Sequence, residues 1–308
     1  MTSSLPQLSG KVFITDAGLE TDLIFQQGMD LPCFASFPLL ETESGRKALQ
    51  DYYQSFIDIA RRDGTGVVLE TPTWRANPDW GKQLGYSAKR LDQVNGQAVR
   101  FLQDLGVKNP EIQVVVSGNL GPRGDGYVVD ETMTADESMA YHGPQIRSFV
   151  DAKADMVCGL TLGYAEEAIG MTLAAQDLGV PIAIAFTVET DGNLPSGQRL
   201  AEAINQLDEA TKSAPAYYMI NCAHPTHFAD TLATSGPWGR IRGIRANASK
   251  MSHEELDNAT ELDRGNEADL ANSYLSLRDQ LRNLAVVGGC CGTDHHHVDA
   301  MSAAFRGS

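Results

Sequence analysis

What this chain has little of narrows its function before any motif is read. Basic residues are scarce: 24 Lys and Arg stand against 40 Asp and Glu, a net charge of −16. Nucleic acid and anionic membrane surfaces both call for a basic footprint, so neither is expected as a partner. No apolar run approaches the roughly 18 residues of a membrane span. The opening Met1-Thr-Ser-Ser-Leu-Pro6 lacks the basic-then-apolar order of a signal peptide, and a cytoplasmic location is expected. Cysteines number five in 308 residues, two of them adjacent, which excludes a disulfide framework and fits a reducing compartment. A G-x-G-x-x-G turn and a P-loop are both missing, which removes the common dinucleotide and nucleoside triphosphate readings.

What is present is a rhythm. Short apolar segments recur, each closed by Gly, Pro, Asn or Thr and followed by a longer stretch of helical character. The strand candidates are 12–16, 66–70, 112–117, 155–160, 181–187, 216–221, 240–246 and 284–287, with amphipathic stretches between them such as 45–62, 88–105, 134–153 and 165–178. Eight strands alternating with helices over about 300 residues, with no linker or low-complexity block, predict one (β/α)8 barrel domain spanning residues 1–308. An open doubly wound sheet carries the same local rhythm; the strand count favours the barrel.

Chemistry in such a barrel sits where strands end and helices begin. The residues at those positions are Asp16, Thr71, Thr73, Asn119, Thr161, Thr187, Glu189, Asn221, Cys222, Asn247, Cys290 and Cys291. The segment Asn283-Leu-Ala-Val-Val-Gly-Gly-Cys-Cys-Gly-Thr293 stands out. Glycines on both sides give its cysteines little to pack against, and adjacent cysteines do not suit disulfide geometry. Two thiolates there, joined by Cys222 from a neighbouring strand end, make a soft three-sulfur donor set for which zinc is the fitting metal. Three protein ligands leave one tetrahedral position for a substrate. A thiol entering it would be held as its thiolate at neutral pH, ready to take a methyl group from a small-molecule donor. Two other classes compete: a hydrolase using zinc-bound hydroxide, and a non-catalytic barrel that binds thiol or zinc. Cys158, mid-strand, reads as a small buried apolar residue.

Gly288-Gly-Cys-Cys-Gly-Thr293 together with Asn221-Cys222 resembles the zinc signature of the homocysteine S-methyltransferase family. Weaker matches are Asp16-Ala-Gly-Leu-Glu-Thr21, Glu70-Thr-Pro-Thr73 and Gly118-Asn-Leu-Gly-Pro122, so the resemblance runs from about Phe13 to Thr293. It implies a (β/α)8 barrel, zinc ligated by Cys222, Cys290 and Cys291, homocysteine as the acceptor thiol, methionine as the product, and Asp16 and Thr73 beside the amino-acid part of the substrate. Asn119, Thr161 and Asn221 are further expected substrate contacts. Neither the methyl donor nor the oligomeric state is specified by the sequence.

Three departures accompany the resemblance. Leu160-Thr161 stands where the family usually has a Glu-Thr pair whose carboxylate holds the substrate ammonium, Pro72 replaces a common asparagine, and Arg245-Ala-Asn247 replaces Tyr-Pro-Asn. Homocysteine is then held with Glu189 or Glu70 in place of the missing carboxylate, or another small thiol is used. The His295-His-His297 triplet reads as solvated residues opening the last helix, His224 as loop packing, and Ser249–Asn266 as a solvated acidic surface segment. Trp74 and Tyr164 are expected either to wall the pocket or to pack the barrel rim.

Overall fold

In the computed structural model, residues 5–306 are described. Eight parallel strands close into a barrel in sequence order: β1 (Phe13–Thr15), β2 (Gly66–Glu70), β3 (Val114–Leu120), β4 (Met156–Leu162), β5 (Ile182–Phe186), β6 (Tyr217–Asn221), β7 (Ile241–Ala246) and β8 (Val286–Gly289). Closure is direct, with Phe13 beside Val286 and Ile14 beside Val287. The outer layer carries the long helices α1 (Glu43–Asp63), α2 (Ala88–Lys108), α3 (Ala135–Asp151), α4 (Ala165–Leu178), α5 (Leu200–Thr211), α6 (Pro225–Leu232), α7 (Glu267–Ser276) and α8 (His295–Arg306). Their starts follow from capping chemistry: Thr42, Ser87, Thr134 and Asn266 each accept a backbone N–H of the first turn of α1, α2, α3 and α7.

The fold is thus the expected barrel, and most strand edges shift by one or two residues. The shift at β8 is instructive. β8 was expected to stop before Gly288, yet both glycines continue it, pairing with Arg245 and Ala246 of β7. A side chain at Gly288 would meet Thr15 Oγ1 at 1.8 Å, so glycine lets β8 approach β1 and carries the chain to Cys290 without leaving the barrel wall.

The barrel has an apolar lower interior. Phe13, Val68, Val115, Met156, Cys158, Ala183, Tyr217, Met219 and Val286 fill it, and Leu5 closes it from below. Cys158 is fully buried there, as its mid-strand position implies. The polar residues of the strands collect at the opposite, C-terminal end. No helix among the described residues is long and apolar enough to cross a membrane.

Candidate functional site

Cys222 follows the last residue of β6 and takes a left-handed backbone conformation, φ +56°. For a residue with a side chain this is strained, and it persists only where neighbours hold it. Here the Cys222 carbonyl accepts from His253 Nε2 at 2.7 Å and Asn247 Nδ2 at 3.0 Å, while its N–H donates to the Arg245 carbonyl at 3.0 Å. Thr161 has the same backbone hand, φ +63°. It is clamped by Asn221, whose Oδ1 accepts the Thr161 N–H at 2.9 Å and whose Nδ2 donates to Thr161 Oγ1 at 2.8 Å. Both turns aim their residues at the barrel axis.

The result is a cluster of three sulfurs. Cys222 Sγ lies 2.6 Å from Cys290 Sγ and 3.7 Å from Cys291 Sγ, and all three fall within 4.8 Å of one another. Tetrahedral zinc with bonds of about 2.3 Å sets its ligand sulfurs about 3.8 Å apart, a spacing that the Cys222–Cys291 pair already has. All three cysteines are free thiols. Hydrogen bonds donated by Cys222 and Cys291 hold the Cys290 thiol well below its ordinary range, while Cys222 is pushed up chiefly by its contact with Cys290, and Cys291 by its contacts with Cys222 and then Cys290. The three sulfurs together form a soft donor set. The Tyr127 hydroxyl, from the segment after β3, sits over the cluster at 3.1 Å from Cys222 Sγ and 3.5 Å from Cys291 Sγ. Its ring stacks on His253 at 4.0 Å between centroids.

Above the sulfurs opens a cavity of about 430 Å³, within the usual size of a small-molecule site. Asp16, Asn119, Leu160, Thr161, Asn221 and the three cysteines all line it. Thr73, expected there, does not. Its hydroxyl donates to the Asn119 carbonyl at 2.8 Å and shares a 2.6 Å hydrogen bond with Thr71, leaving Thr71 on the wall and Thr73 fully buried behind it.

Arg245 is the residue sequence reasoning noted only as a departure. It enters the barrel from β7, nearly fully buried, with Nη2 3.1 Å from Asp16 and Nη1 4.0 Å from Glu70. Its guanidinium also donates to the carbonyls of Gly289 and Ala17. Burial raises Asp16 to about 6 against the opposing pull of Arg245, and raises Glu70 to about 7. Glu70 is thus committed to Arg245, while Glu189 pairs with His253 Nδ1 at 2.9 Å, and neither lines the cavity. The replacement for the missing carboxylate is at neither position.

Two surface expectations need amendment, and a third resolves between its alternatives. The acidic stretch 249–266 is exposed as expected at Glu254, Glu255, Asp257 and Glu261, and it also forms cavity wall, to which Ser249, Leu256, Asp257, Glu261, Leu262 and Asp263 contribute. Leu256 and Leu262 face the cavity, and Ser249 Oγ fastens the loop to Asp263 at 2.6 Å. In the histidine triplet, His295 and His296 are exposed, but His297 is fully buried between Asp294 at 2.8 Å and the Arg264 carbonyl at 2.9 Å. Trp74 lines the cavity, whereas the Tyr164 hydroxyl accepts the Met133 N–H at 3.1 Å outside it. His224 packs as expected, capping α6 through Nδ1. Tyr127 and His253 escaped sequence reasoning, since neither follows a strand directly; an aromatic residue in the glycine-rich stretch 121–128 was the available signal.

A (β/α)8 barrel with three thiols converging on its C-terminal mouth defines the class of protein: a barrel with a thiolate metal-type site over a small-molecule cavity. Comparison with known proteins makes this particular. The family model for homocysteine S-methyltransferases matches residues 13–305, and the chain belongs to that family. It is 25% identical over 207 residues to homocysteine S-methyltransferase YbgG of Bacillus subtilis (strain 168), a match spanning 62% of this chain and 62% of that relative, less than two thirds of its length. Among solved structures, the metallated form of the homocysteine methyltransferase MmuM from Escherichia coli superposes with a TM-score of 0.72 at 18% identity, covering 96% of both chains. The apo form of MmuM gives a TM-score of 0.66 over 98% of both. At these identities the structural likeness speaks to the shared barrel.

Proposed function

We propose that this protein is a zinc-dependent S-methyltransferase that moves a methyl group from a small-molecule donor to homocysteine, giving methionine. Cys222, Cys290 and Cys291 are the metal ligands in this reading. The observation that carries it is the convergence of three thiols, from the ends of β6 and β8, at the floor of the cavity. Family membership and the metallated form of a structural neighbour support it. Zinc bound there supplies Lewis acidity that keeps an acceptor thiol deprotonated near neutral pH.

The chain's own residues do the rest. Asn221 and the donors to the Cys222 carbonyl lock the left-handed turns that present the sulfurs. Asn119 offers an Oδ1 atom without a hydrogen-bond partner on the cavity side of β3, and Asp16, ion-paired with Arg245, lines the cavity just after β1. Loop 249–266 and Tyr127 roof the site and limit water above the reacting sulfur. In the transfer, the acceptor sulfur bonds to the methyl carbon as the donor's bond to that carbon breaks. The bonding pair leaves with the donor, and the thiol proton passes to solvent. Trp74 and Tyr127, with Asp125 and Asp257 at the mouth, suit a donor whose methyl sits on a cationic sulfur or nitrogen.

The test is a screen of S-methylmethionine, S-adenosylmethionine, betaine and methyltetrahydrofolate against L-homocysteine with zinc-loaded protein, read as methionine by mass spectrometry. Methionine from a sulfonium or ammonium donor is expected. Donor-independent hydrolysis of esters or amides, with no methionine from any donor, would replace this reading with the hydrolase.

A further inference from the structure

Glu20 supplies the carboxylate that position 160 lacks. We infer that Glu20 is the residue that selects acceptor thiols bearing an ammonium group, an inference that rests on the thiol-transfer reading above. The cavity wall at position 160 is leucine, buried and without charge. Asp16 faces a guanidinium 3.1 Å away, so much of its charge is already balanced. Glu20 lines the same cavity, half-buried, and among the described residues no cation pairs with it. Its side chain accepts a hydrogen bond from the Ser36 hydroxyl at 2.7 Å, and Arg75, on the same cavity wall, acts on it electrostatically from beyond ion-pair distance.

The position of Glu20 is fixed by the same segment that carries the sulfurs. A side chain on Gly18 would meet the Cys290 carbonyl oxygen at 2.4 Å, so glycine permits the turn after β1 to lie directly against Cys290. On the far side, Thr21 Oγ1 accepts the Gly292 N–H at 3.1 Å. The Gly18 N–H donates in turn to the Thr293 carbonyl at 3.3 Å. Glu20 therefore stands between two residues, Gly18 and Thr21, that are both strapped to the Cys290–Thr293 segment. A carboxylate so placed, with no direct ion pair among the described residues and beside the sulfur cluster, is built to accept a charge-assisted hydrogen bond from a cationic group on the acceptor.

The test compares two thiols on zinc-loaded protein by calorimetric titration: L-homocysteine and 4-sulfanylbutanoate, which differ only in the ammonium. Wild-type protein is expected to prefer homocysteine by about 10- to 150-fold, the range of one hydrogen bond to a charged group. Glu20→Gln, which keeps the Ser36 contact and the fold, is expected to bring that ratio to within about threefold of unity while the affinity for 4-sulfanylbutanoate stays unchanged. An undiminished ratio in Glu20→Gln would overturn the inference. So would an equal loss for both thiols, or a loss confined to the methyl donor. Binding of neither thiol to the wild type would instead bring down the thiol-transfer reading, and this inference with it.

Discussion

The two ends of the barrel are built from the same eight strands and do opposite things with the same residue types. At the lower end Cys158 is one more apolar residue among Phe13, Met156 and Tyr217, and burial pushes its thiol far up. At the upper end Cys222, Cys290 and Cys291 stand together, sharing protons across sulfur contacts with one thiol pulled down. Charge divides in the same way. Among the described residues the lower interior holds no ion pair, and Gln7 there spends its amide on Tyr217 and Met156. The upper end concentrates Asp16, Glu70 and Arg245 in one buried group. Position along a strand, more than residue type, decides whether a side chain packs or reacts.

Variants at the two ends should separate stability from chemistry. The largest effect is expected from Cys290→Ala: loss of stoichiometric zinc by elemental analysis and loss of methyl transfer, with the far-ultraviolet circular dichroism of the barrel retained. Wild-type rates in zinc-free Cys290→Ala would break the comparison outright. Met219→Ala, at the lower end, should show the converse. Removing a fully buried side chain costs about 2–5 kcal/mol in chemical denaturation, with one zinc per chain still bound.

The buried charges at the upper end give a smaller effect that depends on pH. Glu70 is raised from 4.5 to about 7 chiefly by burial, so the folded protein holds that proton more tightly than the unfolded chain. Its penalty is absent below about pH 4.5, grows as pH rises, and is complete above about 7, at no more than about 3 kcal/mol. Thermal midpoints of the wild type should therefore fall between pH 5 and pH 8, and Glu70→Gln should flatten that fall. A midpoint that rises over this window in the wild type would contradict the assignment of burial as the dominant cause.

How much of this was legible beforehand follows the same division. The barrel was legible, because alternation of apolar strands with amphipathic helices is a local pattern repeated eight times. The three cysteines were legible because strand ends are local too, and Gly-Gly-Cys-Cys-Gly has little packing use. The positive φ at Cys222 and Thr161 was not, since only the converging bonds from Asn221, Asn247 and His253 sustain it. Arg245 inside the barrel was visible only as an odd residue in a motif; its partners Asp16 and Glu70 are more than 170 residues away. Loop 249–266 was legible only in part: its acidic residues are exposed as read, while the leucines between them also make it a cavity wall. Thr73 failed by one layer, because two threonines at i and i+2 share a face and only the nearer reaches the cavity.

The central claim is that three protein sulfurs share one zinc and leave room for a fourth. Zinc-edge X-ray absorption of the loaded protein, before and after adding L-homocysteine, tests it most directly. The account predicts three sulfurs and one lighter ligand, changing to four sulfurs at about 2.3 Å with the thiol. Fewer than three sulfurs at the start, or a spectrum that homocysteine leaves unchanged at saturation, would contradict it.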